Sequence, residues 1–121
     1  MNTIEQLKQE EHVPVVMADQ NGFITYVNLK FEEIFKWSSN EIIGEPLTTI
    51  IPPNLHDAHN LGFSRFIATE KSVILNQKLN LNGIDKNGLI FSAEHLIRGE
   101  KINGKWVFSA TIRPLDEREK I

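Results

Sequence analysis

Two histidines stand where an imidazole could bind something. His59 lies in the run 54–70, the longest helical pattern in the chain. At about 100° per residue, Leu55, Gly62, Phe63 and Phe66 fall within roughly 60° of His59, whereas Asp57, Leu61 and Ser64 fall on the far side. His59 therefore occupies the centre of the apolar face and is expected to point inward, with His56 at the edge. Gly62, one turn later, leaves room for a flat macrocycle against the helix. An inward imidazole is either a ligand-binding group or a core histidine bonded to a backbone carbonyl, and both readings stand at this point.

His95 belongs to an alternating run, 89–97, in which Ala93, His95 and Ile97 share one face and Glu94 and Leu96 the other. A slip of one residue would send the ring to the opposite side of the sheet. His56, Asp57 and His59 offer a metal ion two imidazoles at i and i+3, but no cysteine or clustered carboxylate completes a tetrahedral set. Catalysis has less support, because no phosphate-binding glycine loop, nucleophile elbow or recognisable acid pair is present. The aromatics Phe23, Tyr26, Phe31, Phe35 and Trp37 lack flanking basic residues and read as core, not as a base-stacking platform.

The elements that must hold these side chains follow from pattern and punctuation. A short amphipathic helix is expected over 3–11, ended by Pro14. Residues 13–17 and 23–27 read as strands joined by the turn Asp19-Gln20-Asn21-Gly22. Asn28 can cap a helix with Phe31, Ile34 and Phe35 on one face, and a second helical turn begins at Ser38 or Ser39 and stops at Gly44. Pro46, Pro52 and Pro53 break the next stretch. A long helix capped by Asn54 is followed by strands at 73–81, 89–97 and 106–112, with turns at Lys86-Asn87-Gly88 and Asn103-Gly104-Lys105. Strands, then helices, then a three-stranded meander predict an α+β fold, a five-stranded antiparallel sheet with helices packed on one face.

A chain of 121 residues supports one core. We divide it into an N-terminal helix or cap at 1–12, a domain at 13–115 and the start of a C-terminal linker helix at 116–121. The net charge of −3 argues against nucleic acid and anionic membrane as partners. The absence of cysteine fits a reducing compartment, and neither an export signal nor a spanning apolar run is seen, so a cytoplasmic location is expected.

The opening Asp19, Gly22, Ile24 and Asn28, the aromatic and Glu positions that follow, the corner Lys36-Trp37-Ser38 and the hairpin Asp85-Lys86-Asn87-Gly88 occur in the order seen in PAS sensory domains. Over about 13–115 the chain resembles that family, departing at Lys36, where the family has glycine, and at Asn87, where it has aspartate. The resemblance implies a sensory domain in bacterial-type signal transduction and not an enzyme.

Within the family, the chain is similar to haem-binding gas sensors. There the proximal histidine is followed six residues later by an arginine near a propionate, here His59 and Arg65. That likeness implies haem b held through His59, with Gly62, Phe63 and Phe66 beside it and a diatomic gas or redox state as the signal. The sensors' distal arginine falls at Leu79 and their methionine at Gln77. His95, next to Ile97, would replace them as sixth ligand, as donor to a bound gas or as partner for an organic acid. The alternatives are a flavin stacked on Trp37 or Trp106, a small organic ligand, or a dimerisation module with no ligand; the flavin photochemistry of the family's light sensors needs a cysteine that is absent here. Family likeness also implies a homodimer formed through the N-terminal helix and the outer sheet face. Its output would leave through the last strand to a kinase, cyclase or chemoreceptor module.

Overall fold

The tetrapeptides Asp19-Gln20-Asn21-Gly22 and Asp85-Lys86-Asn87-Gly88 fold identically, and each opens a hairpin. In the first, Asp19 Oδ1 accepts from the N–H groups of Asn21 (2.9 Å) and Phe23 (3.1 Å). In the second, Asp85 Oδ1 accepts from Asn87 and Leu89, both at 2.9 Å. The fourth residue of each is a glycine at φ 83° or 85°, where a Cβ would be strained. Asn103-Gly104 closes a third hairpin as a two-residue loop, both residues at positive φ between the paired Ile102 and Lys105.

The computed structural model describes residues 4–71 and 75–115. In chain order these form α1 (Ile4–Leu7), β1 (Val15–Asp19), β2 (Ile24–Val27), α2 (Leu29–Phe35), α3 (Ser39–Ile42), 3-10 turns at 47–50 and 53–55, α4 (His56–Thr69), β3 (Lys78–Ile84), β4 (Ile90–Ile102) and β5 (Lys105–Pro114). The five strands make one antiparallel sheet in the order β2-β1-β5-β4-β3, as the alternating patterns predict. The expected linker helix at 116–121 lies outside the described residues. No helix among the described residues is long and apolar enough to cross a membrane.

The core lies between the sheet and the helices on its inner face. Phe31, Ile34 and Phe35, at i, i+3 and i+4 of α2, pack with Val16, Ile24, Ile42, Phe91, Ala93 and Ile112. Phe35 is fully buried, stacked on Phe31 at 4.3 Å and meeting Phe91 edge-on at 5.2 Å. On the outer face Val15 and Met17 pack with Leu7 of α1.

Several boundaries differ from those expected, β1 among them, which runs Val15–Asp19 instead of 13–17. Among the described residues the first helix covers Ile4–Leu7 and ends there, because Gln9 and Glu10 donate to carbonyls three residues back and Asn28 Nδ2 takes the Glu10 carbonyl. Asn54 does not cap α4: Pro52 and Pro53 start a 3-10 turn through Leu55, and α4 begins at His56 with no side-chain cap. β3 runs five residues earlier in expectation than in fact at its start, since residues 75–77 form a turn before Lys78; residues 72–74 are outside the described set. β4 and β5 extend to the Asn103-Gly104 turn, where cross-strand pairing continues past the apolar alternation.

Candidate functional site

Strand register settles the orientation of His95. It lies directly opposite Leu79 on β3 and Ile112 on β5, and Ile112 belongs to the inner core, so the ring is on the helix-covered face. Its Nδ1 is 3.1 Å from the Ala93 carbonyl oxygen. A carbonyl only accepts, so Nδ1 carries the proton and Nε2 is left as an acceptor. Burial holds its pKa below the usual histidine range, against the Ala93 bond, which raises it. Around it the inner face is incompletely covered: Leu79 and Ile97 are half-buried, and Leu81, opposite the fully buried Ala93, is 39% exposed.

His59 faces a different space. A cleft of about 240 Å³ opens between the Asn21-Gly22 turn, residues 46–48 and the α4 face carrying His59, Asn60, Phe63 and Ser64. His59 is half-buried, with its ring 5.8 Å from that of Phe63. Burial first, and the nearby His56 second, lower its pKa, which favours neutral imidazole at neutral pH. His56 itself donates Nε2–H to the Ile51 carbonyl at 2.6 Å, fastening the start of α4 to the segment before it.

From the cleft a line of rings runs to the last strand. Phe63 meets Phe108 of β5 at 5.2 Å, Phe108 meets Phe66 at 5.4 Å, and Phe66 meets Trp106 at 4.8 Å. The far end of α4 is clamped to the same hairpin, because Glu70 Oε2 accepts from Lys101 Nζ (2.7 Å) and Trp106 Nε1 (2.9 Å). Those two donors, Lys101 first, depress the Glu70 pKa. This clamp and the ring series were not visible in sequence, since Glu70 and Trp106 are 36 residues apart.

Of the other expected site residues, Phe63 lines the His59 cleft, whereas Gly62, Arg65, Phe66, Leu79, His95 and Ile97 do not. Gly62 is exposed, and a Cβ there would meet nothing within 4 Å. Arg65 is exposed, and Phe66 is buried against β5. The two indoles offered for flavin stacking are engaged within the protein: Lys86 Nζ lies 5.3 Å from the Trp37 ring centre, and Trp106 is parallel to Phe108 at 6.2 Å. Among the described residues no three His, Cys, Asp or Glu side chains converge as a metal site.

Residues 3–98 match the family described as the PAS fold. The chain belongs to the PAS family. Members of this family act generally as sensory and interaction modules. An uncharacterized protein of Azorhizobium caulinodans is 33% identical over 105 residues, covering 86% of this chain but 14% of that protein. The chain thus spans a small part of the length of that relative. A PAS domain from a two-component sensor histidine kinase superposes with a TM-score of 0.70 at 15% identity, over 89% of each chain. The Rhodobacter sphaeroides LOV protein does so with a TM-score of 0.68 at 10% identity, over 92% of this chain and 65% of that one. At such identities the likeness shows the fold alone.

The residues do not fit the haem expected from His59. A tetrapyrrole exceeds the drug-sized molecules for which pockets of roughly 300–1,000 Å³ are usual, and the His59 cleft is about 240 Å³. The distal candidate His95 does not border it, and the arginine and glycine expected beside the macrocycle face solvent.

Proposed function

We propose that this PAS domain is the input module of a longer signalling protein, taking a small molecule into the His59 cleft and passing the change to its last strand. The observation that carries this reading is the ring contact from Phe63, in the cleft wall, to Phe108 on β5. An occupant that moves Phe63 must repack Phe108, because close-packed rings shift together or leave a void. A ligand acts as a signal only when it favours one arrangement over the other. The half-covered inner face around His95, with Nε2 left as an acceptor, is a second place where an organic ligand would be held.

Output through β5 towards a kinase, cyclase or chemoreceptor module agrees with the far longer Azorhizobium relative and with the histidine-kinase origin of one structural neighbour. A cysteine-free chain suits the cytoplasm. Pairing of two copies would use α1 and the outer sheet face, where Leu96, Arg98, Val107 and Thr111 are half-exposed. Haem b held by His59, with a gas as the signal, is the reading the geometry favours less.

A fragment screen by amide chemical shifts tests the proposal. Compounds that shift 59–64 should also shift 107–112, and Phe108→Leu, which removes the partner ring of Phe63 outside the cleft, should retain the first response and weaken the second. Cleft binding with a silent β5, or no cleft binder at all, would sink it. A stoichiometric Soret band on hemin addition, lost in His59→Ala, would restore the haem reading in its place.

A further inference from the structure

The chemistry of the cleft wall narrows what can enter, and this step rests on the cleft being the input site. Its lining contains no Asp, Glu, Lys or Arg. The polar groups it offers are the His59 imidazole, which burial and His56 keep neutral, two carboxamides, Asn21 and Asn60, and two hydroxyls, Thr48 and Ser64, each able both to donate and to accept. The remaining wall is apolar, made of Pro46, Leu47 and the Phe63 ring, which is tilted 38° to His59. At about 30 Å³ per water, a space of this size corresponds to roughly eight waters.

An anion in this space would be partly desolvated with no cationic side chain to meet it, which is costly. The end of α4 does not compensate, because the helix starts at His56 and the wall begins only at His59, near the end of the first turn, where the dipole effect has faded. Asp57 and Arg65, the charged residues of α4, are exposed and outside the wall. A planar neutral amide, by contrast, satisfies a facing carboxamide with a donor and an acceptor at once and lays its ring on Phe63.

We infer that the cleft binds small uncharged aromatic or heteroaromatic carboxamides and discriminates against the corresponding carboxylates. The test is a matched pair, benzamide and benzoate, titrated into the full chain at pH 7.4 with amide shifts as readout. Benzamide should saturably shift 21–22 and 59–64, with benzoate binding at least about tenfold more weakly. Asn60→Lys, a change at an exposed position, should narrow or reverse that preference. Benzoate binding as tightly as benzamide would overturn the ligand class while leaving the cleft as an input site. No shift from either compound at about 10 mM, weaker than ordinary fragment binding, would remove the site and the functional reading with it.

Discussion

Asn28 should be the most costly single polar residue to remove. Buried to 7% exposure, it spends its whole hydrogen-bonding capacity inside the protein. Its Oδ1 accepts from Val15 N–H at 3.0 Å and Phe31 N–H at 2.9 Å, and its Nδ2 donates to the carbonyls of Glu10 at 3.1 Å and Val13 at 2.9 Å. One amide thus caps α2 and ties the segment after α1 to the start of β1. In Asn28→Ala the lost cap costs about 1 kcal/mol. The buried Val15 N–H left without an acceptor costs about 1–3 kcal/mol, and the two carbonyls, which water can partly reach, cost about 0.5 kcal/mol each. The total is about 3–5 kcal/mol, a large part of the ~5–15 kcal/mol that holds a domain together. With a urea slope of roughly 2 kcal/mol per molar, the unfolding midpoint should fall by about 1.5–2.5 M. Asn28→Asp separates the two roles, because it keeps both accepting interactions and turns both donors into oxygens facing carbonyls. It should cost at least about 1 kcal/mol at pH 7. A loss below about 1 kcal/mol in the alanine variant would refute the accounting, and an aspartate variant as stable as the parent would refute the tie to the N-terminal segment.

Lys36, which stands where the family has glycine, caps the end of α2 at φ 66°. Lys36→Gly should raise stability by about 0.5–1 kcal/mol and Tm by roughly 2–5 °C in a thermal melt, because relief of left-handed strain outweighs the freer unfolded chain; an unchanged or lower Tm would contradict this. Glu41 is held at about 2, below its usual 4.5, by Lys86 first and by the Ser38 backbone second. A depressed folded-state pKa means that this support is present above about 4.5 and disappears as the pH falls towards 2. Carboxyl titration by NMR should find the Glu41 value rising in Lys86→Met and in high salt, since the pair is solvent-exposed.

Much of the architecture was legible because it is written in local chemistry. Asp19 and Asp85 organise their turns with neighbours at most four residues away, and Asn28 and Ser38 cap helices three residues on, so the residue types alone place these features. That His95 shares a face with Ala93 and Ile97 was legible too, because side chains alternate along a strand, whereas which side of the sheet they take is decided by the pairing with Ile112. Ends of elements were less so. β4 and β5 continue to the Asn103-Gly104 turn because each pairs with the other, a cooperation between strands that a hydrophobic alternation within one strand does not record.

His59 shows the limit most clearly. Helical periodicity placed it on the apolar side of α4, and the structure makes it half-buried, in agreement. Periodicity reports direction around a helix axis and says nothing of what stands opposite. The Asn21-Gly22 turn and residues 46–48 supply the other walls of the cleft, and His95, Leu79 and Ile97 do not border it. The sequence by itself determined the PAS fold, the turns, the caps of α2 and α3 and the apolar side of α2, since these follow from side chains and backbone within a few residues. The tertiary structure alone decided the size of the cleft, the separation of the two histidines and the ring contacts leading to β5. Those depend on packing between segments far apart in the chain, where a shift of a few ångströms changes which groups can meet.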